Sequence, residues 1–390
     1  MNEILPFFLI LFSGVLFSYL SKKLRAPWVV GLIVAGMVIG PYGLNVIEIE
    51  STMKFISQIG LIFLMFMAGL ETKTSSFKEF QGKLFGLAFI NGAIPFIVGF
   101  LIGYLFGYDL VASLLIGIIF ISSSIAMVIP SLSSNGLLKT RLGQSVVMTS
   151  VIQDIASLIF LSIILQNLNP VTNLPLSVFY PLVFTILFIL KFTLPRLIRL
   201  INFLTDQKDA DLFGQDFRII FIFLLGTVLI FEILGLHSII AAFFTGLILS
   251  ETIQSKILIN KIHTISYGVF IPTFFILVGA QANIKIFTEL NINVILLPFV
   301  IILGSVISKF VSGWWAAKLV GFDSNQSLLF AISSIPQLST TLAVVTTAFS
   351  FGLIDINLST AMIMLSIITI LISPSLMNIF ADKIKESISE

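Results

Sequence analysis

The chain has 390 residues, 57% hydrophobic and 10% charged, with a formal net charge of +2 and a mean hydropathy of +1.12. Soluble domains carry about a quarter charged residues, so this composition excludes an ordinary soluble domain and describes a polytopic, all-α membrane protein. The absence of cysteine removes disulfides, thiol chemistry and Cys-based metal sites. No basic run points to nucleic acid.

Thirteen apolar spans are predicted, at about 4–20, 27–43, 55–70, 84–107, 110–131, 142–166, 172–194, 217–235, 237–251, 262–280, 291–317, 325–353 and 358–380. The ninth is short against a usual minimum of ~17 residues. The first lacks a basic leader and a small-residue cleavage site, so it is expected to be retained as a span. Lys and Arg set the orientation. If the loop with Lys22, Lys23 and Arg25 is cytoplasmic, so are Lys73, Lys78, Lys83, Lys139, Arg141, Arg196, Arg199, Lys208, Arg218, Lys256, Lys261, Lys318, Lys383 and Lys385, with Lys191 snorkelling to the same side. Only Lys54 and Lys285 fall outside, and Lys309 lies within a span. The N-terminus is therefore expected outside and the C-terminus inside, in a bacterial-type plasma membrane.

The chain also repeats itself. The stretch from Trp28 to Ile39 resembles Ser238 to Leu249, and Gly60 to Gly69 resembles Phe270 to Gly279, both at an offset of 210. Ser113-Leu114-Leu115 and Ser327-Leu328-Leu329 open spans 5 and 12 at a nearly equal offset. Spans 1–6 and 8–13 are then two six-helix repeats, about 4–166 and 217–380, joined by a linker helix at about 172–194 within one transmembrane domain of residues 1–390. Equivalent spans are an odd number apart, which gives the repeats inverted topology, as in many secondary transporters.

Span 6 carries Asp154 about halfway along its length. An ionised carboxylate at that depth is costly unless it faces a cavity, an ion path or a basic partner, and the bland alternative is a helix-tying hydrogen bond. Gln153 precedes it; its amide can coordinate an ion through oxygen but holds no titrating proton, and it could equally pack helices. In repeat transporters the site is made by interrupted helices near the midplane. Span 5 supplies Ser122, Ser123 and Ser124. Span 12 supplies Pro336, Gln337, Ser339, Thr340 and Thr341; Pro336 removes a helix hydrogen bond, and unwound carbonyls and hydroxyls suit a hard cation. Ser and Thr also pack ordinary helices closely, so the equivalent placement of the two runs is what favours functional breaks. Lys309 cannot reach an interface and must be paired, neutral or hydrated; it is the natural opposite number of Asp154, a charge that neutralises half-helix C-termini, or both. Glu232 is expected near a span end, and His237 and His263 are read as structural. No Walker loop, dinucleotide fingerprint, nucleophile elbow or zinc motif is present, which disfavours ATP-driven transport, hydrolysis and any cofactor.

These residues carry a resemblance to the second monovalent cation:proton antiporter family, with the NhaA-type fold. It covers essentially the whole chain and rests on Pro27-Trp28-Val29-Val30-Gly31 to Gly40-Pro41-Tyr42-Gly43-Leu44, on Leu64 to Glu71, on Pro272 to Gly279, and on Gln153-Asp154 at the paired site motif. The resemblance implies that spans 5 and 12 are crossed broken helices, that Asp154 binds the monovalent cation or a proton, and that Lys309 matches the family's span 11 lysine or arginine. It also implies a homodimer with a mobile core. Electrogenic members have two acidic residues at the motif; Gln153 in the first place resembles the potassium-efflux, Kef-type branch, without the nucleotide-binding regulatory domain of that branch and without its acidic residue near the span 12 break. The expected activity is exchange of Na+ or K+ for H+, one for one. A cation channel or an organic-anion carrier on the same scaffold are the alternatives.

Overall fold

The computed structural model describes residues 4–24, 26–72, 81–168, 176–204, 215–233, 237–250, 252–253, 255–283, 285 and 292–389. Of the basic residues that set the orientation, Arg25, Lys73, Lys78 and Lys208 lie outside them, as does the start of the expected linker helix at 172. The described secondary structure is helical: α1 Ile4–Lys23, α2 Trp28–Ile39, α3 Ser51–Glu71, α4 Gln81–Leu105, α5 Leu110–Ile121, α6 Ile125–Ser134, α7 Arg141–Leu168, α8 Leu176–Leu204, α9 Gln215–Ile233, α10 Ser238–Leu249, α11 Lys256–Ile265, a π-helical turn Ser266–Phe270, α12 Ile271–Gln281, α13 Ile292–Leu319, α14 Ser324–Ser333, α15 Ser339–Ser350 and α16 Ile356–Ser389. In hydrocarbon every backbone polar group must be satisfied within the protein, which is why apolar stretches of this length fold as helices. Among the described residues, eight helices are long and apolar enough to cross a membrane, and α2 and α10 are shorter apolar helices.

All thirteen predicted apolar stretches contain helix. Three expectations change in detail, the linker helix α8 running past its expected end at 194 to Leu204. Span 10 starts earlier, as α11, and passes through the π-helical turn before α12. Span 13 continues as one helix to Ser389. Spans 5 and 12 are each split in two. In span 5 the helix stops at Ile121, Ser122 and Ser124 are extended, and α6 begins at Ile125. In span 12 α14 stops at Ser333 and α15 begins only at Ser339, after Pro336.

The chain divides into two compact units. The first comprises Met1–Ser57, Ser76–Leu161 and Pro272–Glu390. Within it α13 packs on α4, α14 and α16, while α15 packs on α5 and α16, and α2 packs on α1 and α16. A buried apolar cluster that includes Leu87, Val128, Val146, Phe330 and Met377 fastens α4, α6, α7, α14 and α16 together. The axes of α2 and α12 approach so closely that a Cβ on Gly36 would overlap the Ile276 carbonyl, and one on Gly279 the Ile33 carbonyl.

The second unit comprises Gln58–Ser75 and Ser162–Ile271. Here α10 packs on α8 and α9, and α11 packs on α9. The end of α3 crosses α10 as closely as α2 crosses α12: a Cβ on Gly69 would overlap the Phe243 carbonyl, and one on Gly246 the Phe66 carbonyl. His237 caps α10, and His263 stacks on Tyr267 at 4.2 Å, so both histidines have local structural contacts. Glu232 is exposed at the end of α9.

The entrances to the two split spans are built alike. Gly107 and Gly321 end α4 and α13 with φ of 81° and 92°, a conformation that costs a glycine little. Tyr108 N bonds Gly103 O and Phe322 N bonds Ala317 O, each at 3.1 Å. Asp109 then caps α5 by accepting from Ala112 N at 2.8 Å, and Asp323 caps α14 from Gln326 N at 2.8 Å. Ser113 Oγ donates to Tyr108 O, and Ser327 Oγ to Phe322 O, both at 3.4 Å. These equivalent bonds recur at one register in the two halves.

Candidate ion-binding site

All residues of the candidate site lie in the first unit. The two breaks touch through backbone: Ser124 N donates to the Pro336 carbonyl at 2.6 Å. Ser122 Oγ and Thr341 Oγ1 are 2.8 Å apart, and Ser123 Oγ lies 3.2 Å from the Ser334 carbonyl. Extended backbone cannot satisfy itself, so each break supplies the other with partners. Gln337 ties the span 12 break to its surroundings; its Nε2 donates to Ser305 Oγ at 2.9 Å and its backbone N–H to Thr369 Oγ1 at 3.2 Å. Ser339 opens α15 and is buried.

Helix α7 brings Gln153 and Asp154 to this crossing. Ser157, one turn further on, donates its hydroxyl to the Ile118 carbonyl of α5 at 3.1 Å. Gln153 Oε1 accepts from Ser123 Oγ at 2.9 Å and from Lys309 Nζ at 3.2 Å, while its Nε2 donates to the Ala88 carbonyl at 3.4 Å. Asp154 is fully buried. The Thr340 hydroxyl, the Ser123 backbone N–H and the Lys309 ammonium lie close enough to act on its carboxylate, although no hydrogen bond of full geometry reaches either oxygen. Thr340 sits in the first turn of α15, where unpaired N–H groups favour negative charge. The buried hydroxyls of Thr340 and Ser124 are likewise without a partner. Buried polar atoms are normally paired, so a lone carboxylate and two lone hydroxyls at one crossing are oxygens available to a guest.

Lys309, on α13, is fully buried. Its ammonium donates to the Ile121 carbonyl at the C-terminal end of α5, to Ser123 Oγ at 3.3 Å and to Gln153 Oε1. The negative end of a half-helix is thus met by a cation. Lys309 acts on Asp154 through space and forms no hydrogen bond with it.

Gln153, Asp154, Lys309 and the residues of the two breaks lie at or beside the crossing, whereas Glu232, His237 and His263 belong to the second unit. Sequence reasoning missed the supports: Ser305 and Thr369 under Gln337, Ser157 of α7, which donates to α5, and Asn91 of α4, which accepts from Ser312 Oγ at 2.9 Å. Single hydroxyls on apolar helices give no pattern that separates such supports from helix packing. The register shared by Gly107-Tyr108-Asp109 and Gly321-Phe322-Asp323 was a readable signal of the two equivalent entrances.

The chain is similar to known proteins over nearly its whole length. The chain is 31% identical to "Probable Na(+)/H(+) antiporter 3" of Methanocaldococcus jannaschii, over 94% of each chain. It is 28% identical to "Na(+)/H(+) antiporter" of Enterococcus hirae, over 96% of this chain and 97% of that one. The structure of the sodium proton antiporter MjNhaP1 from M. jannaschii at pH 8 superposes with a TM-score of 0.75 at 18% identity, covering 98% and 99% of the two chains, so the fold is shared. The sequence pattern of the family described as "Sodium/hydrogen exchanger, transmembrane" matches residues 8–383. This chain is an integral membrane protein and belongs to the transmembrane sodium/hydrogen exchanger family.

Proposed function

We propose that this protein is a secondary antiporter that exchanges a monovalent cation for protons by alternating access, with Asp154 holding either the proton or the cation. The observation that carries this reading is the buried, unpartnered Asp154 carboxylate at the crossing of two broken helices. A carboxylate is neutral with a proton and neutral in sum with a monovalent cation, so one buried group can alternate between the two loads without being left as a bare charge. The Thr340 and Ser124 hydroxyls and the freed carbonyls of the breaks are the oxygens that would replace part of a cation's hydration shell. A channel would not couple cation flow to proton flow, and an organic-anion carrier would need more polar lining than one carboxylate and these hydroxyls supply. The two relatives named as Na(+)/H(+) antiporters support exchange of sodium for protons.

The same proposal includes one transmembrane domain of two related repeats, about 4–166 and 217–380, joined by the linker helix. The matching entrances to α5 and α14, and the matching glycine crossings of α2 with α12 and of α3 with α10, support it. A homodimer in a plasma membrane, with N-terminus outside and C-terminus inside, follows from the family resemblance and from the lysine and arginine distribution.

A one-for-one, electroneutral cycle is favoured by the surroundings of Lys309. An ammonium has three N–H donors, and three acceptors surround it. The single proton of Ser123 Oγ is engaged by Gln153 Oε1 or the Ser334 carbonyl, so Ser123 presents a lone pair to the lysine. The lysine is held as a fixed cation, and only Asp154 cycles. In proteoliposomes, sodium-driven proton flux should be unchanged when a potassium–valinomycin potential is imposed, although ~2.3 kcal/mol per 100 mV would act on any net charge carried. A rate that scales with voltage would overturn the one-for-one cycle and make Lys309 a second proton carrier. The ion series for the same assay is sodium, potassium, lithium and an organic anion; absence of proton movement with all three cations would sink the antiport reading itself.

Gln153→Glu tests the neighbouring position. Gln153 Oε1 already accepts from Lys309, so a carboxylate there pairs directly with the ammonium and repels a charge on Asp154. Transport is expected to persist with a changed pH dependence or ion preference. A pH profile and selectivity identical to those of the wild type would place Gln153 outside the site.

A further inference from the structure

The two equivalent entrances lie 214 positions apart, at Gly107 and Gly321. Carried into the breaks, that register matches Gln337 with Ser123 and brings Thr369 within one residue of the match to Asp154. The contacts match as well. In the first break the Ser123 backbone N–H acts on the Asp154 carboxylate. In the second the Gln337 backbone N–H donates to Thr369 Oγ1 at 3.2 Å. A threonine of α16 thus serves the span 12 break as the aspartate of α7 serves the span 5 break. The threonine has no charge and no titrating proton, so its task differs.

Its surroundings define that task. Thr369 Oγ1 gives its own proton to the Leu365 carbonyl at 2.8 Å or the Ser366 carbonyl at 3.2 Å, which leaves a lone pair for the Gln337 N–H. Gln337 is held a second time by Nε2, which donates to Ser305 Oγ at 2.9 Å. Ser305 is one turn from Lys309 on α13, on the same face. Gln337 Oε1 and Ser366 Oγ are buried and have no partner, so no denser network backs up these two bonds. Helix α15 needs such an anchor. Its N-cap position, Leu338, supplies no side-chain hydrogen bond, and Pro336 has no N–H to tie the break down. Gln337 is three residues before Thr340, whose hydroxyl acts on Asp154. Whatever fixes Gln337 also fixes that hydroxyl.

We propose that Thr369 and Ser305 are positioning residues for cation binding: through Gln337 they hold the first turn of α15, and with it Thr340, against Asp154. Neither residue touches the ion. The inference rests on the reading of Asp154 and Thr340 as the groups that hold the cation.

The test measures sodium-driven proton flux in proteoliposomes of the full chain across a sodium series, and in detergent the sodium concentration that gives half the rise in melting temperature. Thr369→Val keeps the shape but loses the lone pair, and Ser305→Ala loses the acceptor of Gln337 Nε2. Each is expected to raise the sodium KM about tenfold while the maximal rate falls less than roughly threefold, the pattern of weakened binding, with the melting titration shifted in parallel. Thr369→Ser keeps the lone pair and should restore the wild-type KM. Thr360→Val is the control, because it removes a bond of the same kind on the same helix, from Asn283 N at 2.9 Å, away from the break; its KM should stay at the wild-type value. A wild-type KM in Thr369→Val or Ser305→Ala, no rescue by Thr369→Ser, or an equal rise in Thr360→Val would each overturn the proposal. Should Thr369→Val fail to fold, Ser305→Ala decides by itself. Sodium binding without proton flux in the wild type would sink the antiport reading alone, and the melting titrations would then judge the positioning role. Coupled exchange with an unmoved KM in the variants would sink the positioning role alone.

Discussion

Asp154→Asn is expected to reduce cation-dependent proton flux to the level of empty liposomes while the protein remains folded. The carboxylate is fully buried and no hydrogen bond of full geometry reaches either oxygen, and an amide oxygen can still accept from the nearby Thr340 hydroxyl or Ser123 N–H. An amide is nearly the same size but cannot take up and release a proton, nor can it neutralise a bound cation. Lys309 keeps its three acceptors in this variant, so the buried ammonium is not stranded, and the melting temperature is expected to fall far less than when the lysine is removed. The measurement pairs sodium-driven proton flux with thermal unfolding of the same preparation. Wild-type flux in the Asn variant would remove Asp154 from the exchange. Lost flux with a collapsed melting temperature would show a structural residue instead.

The second large effect concerns the lysine. In Lys309→Met a flexible apolar chain of similar length replaces an ammonium that serves the Ile121 carbonyl, Ser123 Oγ and Gln153 Oε1. All three acceptors are buried, and the Asp154 charge loses the cation that acts on it. Removing one member of a buried charged pair typically costs about 3–5 kcal/mol, because the other charge is left uncompensated. A marked fall in melting temperature is expected, together with impaired exchange. Part of that loss should be recovered in Asp154→Asn/Lys309→Met, since the uncompensated carboxylate is then gone, whereas the Ile121 carbonyl remains without its donor. The double-mutant cycle separates the two roles of the lysine. Zero coupling would mean that Lys309 serves only the end of the α5 half-helix and has no energetic link to Asp154.

Much of this protein is written locally. Length and composition place it in the membrane, because long runs of apolar residues can satisfy their backbone in hydrocarbon only as helices. The same local logic located the breaks: Pro336 cannot continue a helix, and three adjacent serines offer the backbone competing partners. A charge in the middle of an apolar span is costly anywhere, which is why Asp154 and Lys309 stood out before any contact was known. The sequence similarity of Trp28–Ile39 to Ser238–Leu249, and of Gly60–Gly69 to Phe270–Gly279, also announced a repeat.

Only the tertiary structure decided who partners whom. From the sequence Lys309 could serve as the counter-charge of Asp154, as a cation for half-helix C-termini, or as both, and its ammonium is taken by a helix-end carbonyl, a serine and Gln153. That outcome depends on where α13 passes the C-terminus of α5, and residues 188 positions apart carry no local signature of meeting. The glycine pairs show the same division. The sequence matched Gly36 with Gly246 and Gly69 with Gly279, but the close approaches are Gly36 against Ile276 beside Gly279, and Gly69 against Phe243 beside Gly246. Sequence similarity reports which segments are equivalent. Contact depends on how equivalent segments pack, and an exchange of partners between repeats is visible only once the chain is folded. The supports of the site, Ser305, Thr369, Ser157 and Asn91, became legible for the same reason: a lone polar side chain on an apolar helix gains its meaning from the buried group that another helix places against it.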